Sequence, residues 1–283
     1  MKKIEFHKYH GLGNDFLIID LIKKRFDIHD YNKLAERICN RNFGVGADGI
    51  LVLTKSRRAD CCIDLFNSDG SWAEKSGNGL RIVAAYFHTH YGRKKKLAFE
   101  INEEIAEADI IRSSAVDFSI RVCLGKPDFN TRHIPMKSRL KYHINAPIEI
   151  EKAKFPVTAL SVGNPHTVIF VDRFDFDWRE LGAIIENSKY FPHRTNVEFV
   201  KIVSRSRVIL SDWERGAGAT GSSGTGAAAS VVAGVINGYL NRKADVVFPA
   251  GSLFIDWSDK DDKIYLTGPV AFTCRGEYLF DEK

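Results

Sequence analysis

One short pattern occurs twice in the chain: Ser76-Gly77-Asn78-Gly79 and Ser223-Gly224-Thr225-Gly226 each lead into an apolar, alanine-rich stretch with the composition of a buried helix. The same number of positions separates Phe66-Asn67 from Trp213-Glu214, upstream of the two tetrapeptides. At nearly that offset, Gly13-Asn14 before the run 16–19 is matched by Gly163-Asn164 before 168–171. Gly44-Val45-Gly46 before 50–52 is matched in the same way by Arg194-Thr195-Asn196 before 197–200. Matches kept in one order point to two similar half-chain domains, although identity between the halves is low.

A chain of 283 residues gives each half enough length for its own core. The halves are expected at 1–125 and 126–269, with a strand from 270–283 returning to the first. Residues 125–147, which hold three prolines, form the expected crossover. Alternation and helical spacing predict strands at 3–8, 16–20, 49–53, 61–66, 97–101, 107–113 and 118–124, with helices at 31–40, capped by Asp30, and 78–90. In the second half they predict strands at 157–161, 167–171, 197–203 and 207–212, with helices at 178–187 and 225–240. Gly268-Pro269 is expected to separate the last two strands. Strands do not alternate regularly with helices, so the expected class is α/β of the α+β kind: two pseudo-symmetric domains, each a curled mixed or antiparallel sheet around a central helix.

Composition narrows the function. No apolar run approaches the ~20 residues needed to cross a bilayer, and Met1-Lys2-Lys3-Ile4-Glu5 does not begin a leader core, so a cytoplasmic protein without membrane association is expected. The net charge of +5 is modest, and its densest run, 93–96, falls where a helix should end, so no nucleic-acid partner is expected. The nine histidines form no zinc signature, and the five cysteines are odd in number without framework spacing. Buried free thiols and no metal site are expected.

The first turn of a helix presents unpaired N–H groups and a partial positive charge, and flanking glycines let a ligand approach that backbone. Ser-Gly before a helix is also an ordinary N-cap; the matched duplicate favours two anion sites instead. Neither motif has G-x-G-x-x-G, P-loop or G-x-S-x-G spacing, which argues against a dinucleotide site, a nucleoside triphosphate site and a serine-hydrolase elbow.

Seven blocks in order now resemble those of the diaminopimelate epimerases. They are His10-Gly11-Leu12-Gly13-Asn14-Asp15-Phe16, Gly44-Val45-Gly46-Ala47-Asp48-Gly49, Phe66-Asn67-Ser68-Asp69-Gly70, Gly77-Asn78-Gly79, Gly163-Asn164-Pro165-His166, Arg194-Thr195-Asn196-Val197-Glu198-Phe199 and Glu214-Arg215-Gly216-Ala217-Gly218. The resemblance implies a cofactor-independent amino-acid epimerase, often a homodimer, that interconverts LL- and meso-diaminopimelate for lysine and peptidoglycan synthesis. It implies that the α-carboxylate of a small diamino diacid sits at Gly77-Asn78 and Gly224-Thr225. Asn14, Asn67, Asn164, Asn196, Glu214 and Arg215 then grip the rest of the substrate. The implied catalytic set is Ser76, Ser223, His166 and Glu214. The family carries a catalytic cysteine at both serine positions, and Ala219, Gly221 and Ala228 also depart from the family's usual run. A non-catalytic amino-acid-binding paralogue and an isomerase of another amino acid therefore stand as alternatives.

Overall fold

The computed structural model describes residues 2–24, 28–73, 76–219 and 221–281; the end of the expected returning strand, 282–283, lies outside them. The chain divides into two compact units, Met1–Val122 with Gly268–Lys283, and Cys123–Thr267.

The first unit contains β1 (Lys2–Gly11), β2 (Asn14–Asp20), α1 (Tyr31–Ile38), β3 (Gly49–Thr54), β4 (Cys61–Asn67), β5 (Trp72–Ala73), α2 (Gly77–His90), β6 (Lys96–Ile101), β7 (Glu104–Ser113) and most of β8 (Asp117–Gly125). The second contains β9 (Ala146–Ile150), β10 (Ala153–Ser161), β11 (Pro165–Phe170), α3 (Trp178–Glu186), β12 (Asn196–Ser204), β13 (Arg207–Glu214), β14 (Gly218–Ala219), α4 (Gly224–Ile236), β15 (Lys243–Phe248), β16 (Gly251–Trp257) and the start of β17 (Ile264–Phe280).

The strand pairings repeat one for one. An antiparallel β1–β2 pair is followed by parallel β2–β3, antiparallel β3–β4, parallel β4–β6 and antiparallel β6–β7. The second unit runs antiparallel β10–β11, parallel β11–β12, antiparallel β12–β13, parallel β13–β15 and antiparallel β15–β16. In the first unit β7 continues to β8, and the end of β17 pairs with both β8 and β1, which closes the ladder into a barrel. The expected mixed sheets curled around helices are therefore present.

Burial follows sequence pattern. Strands such as β8 alternate buried and half-exposed residues, whereas β2, β3 and the first part of β12 are almost continuously buried runs covered on both faces. Every residue of α2 from Gly77 to His88 is buried, and so are ten of the residues of α4. A helix apolar all round belongs inside a domain. The amphipathic α1 and α3 pack on the outer clusters instead, α1 through Leu34, Ala35 and Ile38 against Ile4, Leu17 and Ile50. α1 is capped by Asp30, whose side chain accepts the Lys33 N–H.

Three expectations need correction. Gly268-Pro269 does not separate two strands, because β17 runs from Ile264 to Phe280 without a break. Its register with β16 ends at Thr267 and its register with β1 begins at Ala271, so the proline falls between these two ladders, where neither calls on its missing N–H. α4 ends at Ile236 rather than 240: Gly238 adopts φ 76°, the Tyr239 and Leu240 N–H groups both turn back to Gly234 O, and Leu240 folds onto Gly234. Of the cysteines, Cys39 and Cys61 are buried and Cys62 and Cys123 half-buried, but Cys274 is exposed. Among the described residues no helix is long and apolar enough to cross a membrane.

Candidate active site

The two serines do the same local work. Ser76 is extended at φ −137° and ψ 121°, its Oγ accepts the Gly79 N–H at 3.0 Å, and its carbonyl accepts the Leu80 N–H at 3.0 Å. Ser223 is extended at φ −114° and ψ 122°, its Oγ accepts the Gly226 N–H at 3.2 Å, and its carbonyl accepts the Ala227 N–H at 3.0 Å. Each cap therefore satisfies the third and fourth amides of its helix. Among the described residues nothing accepts the first two, Gly77 and Asn78 in α2 or Gly224 and Thr225 in α4. Glycine is required at the third position for packing: a Cβ on Gly79 would lie 3.2 Å from Leu51, and one on Gly226 would lie 3.1 Å from both Glu198 Oε1 and Ser223 Oγ.

Behind the α2 start runs a polar relay. Asn14 opens β2 after a two-residue hairpin turn in which Leu12 and Gly13 both take positive φ, 53° and 88°. Asn14 Nδ2 donates to Asp48 Oδ2 at 2.8 Å, and Asn14 Oδ1 accepts from Asn78 Nδ2 at 2.9 Å. Asn78 Oδ1 in turn accepts from Arg81 Nη2 at 2.6 Å. Asp48 is held by Arg41 at 2.8 Å, which also binds Asp15 at 2.9 Å, while Lys8 binds Asp15 at 2.7 Å. Burial pushes the Asp15 carboxyl up, but the Lys8 and Arg41 hydrogen bonds outweigh it and hold it below the usual range.

Behind the α4 start the relay ends in an acid. His166 and Glu198, both fully buried, meet at 2.6 Å through Nδ1 and Oε1; His166 Nε2 lies 2.8 Å from Asn164 Oδ1, and Asn164 Nδ2 reaches Thr225 Oγ1 at 3.4 Å. Burial raises the Glu198 carboxyl, with the imidazole pulling the other way, and its Oε2 has no partner. Both His166 nitrogens are engaged in these contacts.

The remaining expected residues cluster locally. Asn67 closes its own turn, with Nδ2 on Ser71 Oγ at 2.9 Å, and the neighbouring Ser68 N–H donates to Asp48 O. Asn196 spends both ends of its amide on backbone, donating to Pro165 O at 2.8 Å and accepting the Arg215 N–H at 2.9 Å. Glu214 is half-buried at the end of β13, and Arg215 is exposed. Their turn is fixed by buried Glu186, which accepts the Trp213 Nε1–H at 2.7 Å and the Gly216 N–H at 3.0 Å.

Four supporting residues, Asp48, Arg81, Glu186 and Glu198, were not among the expected site residues. Two had a legible signal: Glu198 interrupts the apolar run 197–200, and Arg81 is a lone cation in an apolar helix.

The sequence matches the family model described as diaminopimelate epimerase over residues 6–129 and 158–273. It is 44% identical to the diaminopimelate epimerase of Carboxydothermus hydrogenoformans, over 98% of this chain and 100% of that one. It is 41% identical to that of Pelotomaculum thermopropionicum, over 98% and 99%. Among solved structures, a Bacillus anthracis phenazine biosynthesis protein of the PhzF family aligns at TM-score 0.65 and 15% identity over 99% of this chain and 100% of that one. A hydroxyproline epimerase from Agrobacterium vitis aligns at 0.65 and 13% over 98% and 91%. At those identities the structures speak for the fold, whereas the sequence matches span nearly the whole protein. The chain belongs to the diaminopimelate epimerase family.

Proposed function

We propose that the protein is an amino-acid epimerase that inverts the α-carbon of a diaminopimelate-like diamino diacid without a cofactor. The observation that supports this most is the duplicated, serine-capped helix start, each with two uncommitted N–H groups, in a chain of this family. In this reading the α-carboxylate is bound by Gly77 and Asn78 with Gly224 and Thr225, and Ser76 and Ser223 address opposite faces of the α-carbon. Asn14, Asn67, Asn164, Glu214 and Arg215 hold the polar remainder: amide oxygens and the Glu214 carboxylate suit an ammonium group, and the guanidinium suits a carboxylate. Asn196 acts through the backbone of Arg215, and His166 through Asn164. The protein is read as cytoplasmic and homodimeric, the second point checked by its mass in solution.

One serine removes the α-proton while the other hydroxyl delivers a proton to the opposite face. A thiol ionises near 8.5 and an alkyl hydroxyl far above it, a gap of roughly 9 kcal/mol in forming the base. The helix start contributes up to ~2 kcal/mol to a developing anion, and the charge-assisted hydrogen bond from the amide on Oγ about 1.5–3. A thiolate at the same cap would gain the same stabilisation, so the gap is not narrowed and turnover is expected at least about a thousandfold below that of a cysteine pair.

Incubation with LL-diaminopimelate in D₂O, followed by NMR, tests the reading. Saturable binding with slow α-deuteration is expected. Absence of both would refute it, and binding with no deuteration on prolonged incubation would make the protein an amino-acid binder that has lost the chemistry.

A further inference from the structure

The α2 start carries an electrostatic imbalance that the α4 start lacks. Arg81, in the second turn of α2, is fully buried. It donates to Asn78 Oδ1 at 2.6 Å and to Gly77 O at 3.4 Å, and among the described residues its Nε has no acceptor. Among the described residues no carboxylate forms an ion pair with it. Burial brings the guanidinium down to about 10, so it remains a cation at neutral pH. It lies so close to β1 that a Cβ on Gly11 would stand 3.1 Å from Nη2. The helix start adds its own positive end and two uncommitted amides in the same place. A buried cation without a counter-ion is unfavourable, and next to a helix N-terminus more so.

At the equivalent position α4 has the fully buried Ala228, and a Cβ on Gly226 in its first turn would lie 3.1 Å from the Glu198 carboxyl. The repeat has kept the caps and changed the charge behind them.

We propose that Arg81 is a positioning residue for carboxylate recognition at the start of α2: its guanidinium supplies positive charge behind the Gly77 and Asn78 N–H groups and fixes the amide sense of Asn78 and Asn14. The second part follows from donor and acceptor types. Guanidinium can only donate, so Asn78 must turn Oδ1 toward it; carboxylate Asp48 takes Asn14 Nδ2, leaving Asn14 Oδ1 for Asn78 Nδ2. A cation at one end and a carboxylate at the other leave both amides one orientation. That the carboxylate belongs to a diamino diacid rests on the function proposed above; that the site takes a carboxylate does not.

The test uses the ¹⁵N-labelled full chain titrated with acetate, following the backbone amides of Gly77 and Asn78 against those of Gly224 and Thr225. Wild type is expected to give saturable shifts at Gly77 and Asn78. Arg81→Met is expected to weaken them about tenfold or more, with Gly224 and Thr225 unchanged. Arg81→Lys, which keeps the charge, is expected to recover much of the affinity. Exchanging an unpaired buried cation for an apolar side chain leaves the melting temperature unchanged or raises it. A lower melting temperature or loss of fold in Arg81→Met would mark a purely structural arginine and overturn the proposal. So would an acetate response in folded Arg81→Met equal to wild type, or no saturable shift at Gly77 and Asn78 in wild type. A parallel titration with LL-diaminopimelate separates the two claims: acetate binding as expected with no diaminopimelate binding would leave the role of Arg81 intact and refute the substrate assignment.

Discussion

The starts of α2 and α4 are alike in backbone and opposite in what lies behind them. Each serine is extended, accepts the amide three residues on, and leaves two donors uncommitted. Behind α2 the relay runs from Asp48 through Asn14 and Asn78 to the cation Arg81; behind α4 it runs from Glu198 through His166 and Asn164 to neutral Thr225. Cap geometry depends on a serine and nearby glycines, which the repeat preserves. The sign of the local potential depends on side chains one layer deeper, which it does not. A duplicated fold thus acquires two geometrically matched but electrically distinct helix starts.

The largest expected effect tests whether the matched geometry is what chemistry needs. Ser76→Cys with Ser223→Cys should raise α-proton exchange of diaminopimelate at least about a thousandfold, because local stabilisation is common to thiolate and alkoxide and leaves the intrinsic gap in place. Exchange no faster in the folded double variant would mean that the two caps do not address one carbon. Next in size, Glu198→Ala removes one partner of a fully buried pair and strands His166 Nδ1, at a cost of about 1–3 kcal/mol in urea unfolding. Asp48→Ala, whose partner Arg41 is largely exposed, should cost much less. Equal losses would erase the distinction drawn between the two relays.

The sequence carried the repeat, the inner helices and the caps because each rests on local chemistry: Ser-Gly at a helix start, glycine at a turn, apolar residues all round a buried helix. It did not carry the relays. Asn14 and Asn78 meet only because the β1–β2 hairpin brings Asn14 beside the first turn of α2, and Asp48 joins them only through the parallel β2–β3 pairing. The Asn196 amide also ties the Pro165 and Arg215 backbone together, a use no spacing reveals. Pro269 does not break β17, because it falls between the β16 and β1 ladders and neither needs its N–H.

A smaller effect checks the equivalence of the caps. Ser76→Ala and Ser223→Ala should each cost about 1 kcal/mol, the usual value of an N-cap serine, by urea unfolding. A much larger loss at one serine would mean that it does more there than cap its helix.

The smallest expected effect is one of sign. Asp15, in the first unit, has a folded pKa below its usual 3.8, so its contribution is present above that value and is lost as pH falls through the folded one. Glu198, in the second, has a folded pKa above its usual 4.5: the fold retains a proton that the unfolded chain releases, so its contribution is full below 4.5 and declines as pH rises toward the folded value. Asp15→Asn should therefore flatten the stability profile on its acid side, and Glu198→Gln, which mimics the protonated acid, on the side above pH 4.5. Urea midpoints across pH 3 to 8 read both. Glu198→Gln with an unaltered slope above pH 4.5 would mean that the Glu198 carboxyl gives up its proton as readily in the fold as in the unfolded chain, against the raised acid placed behind α4.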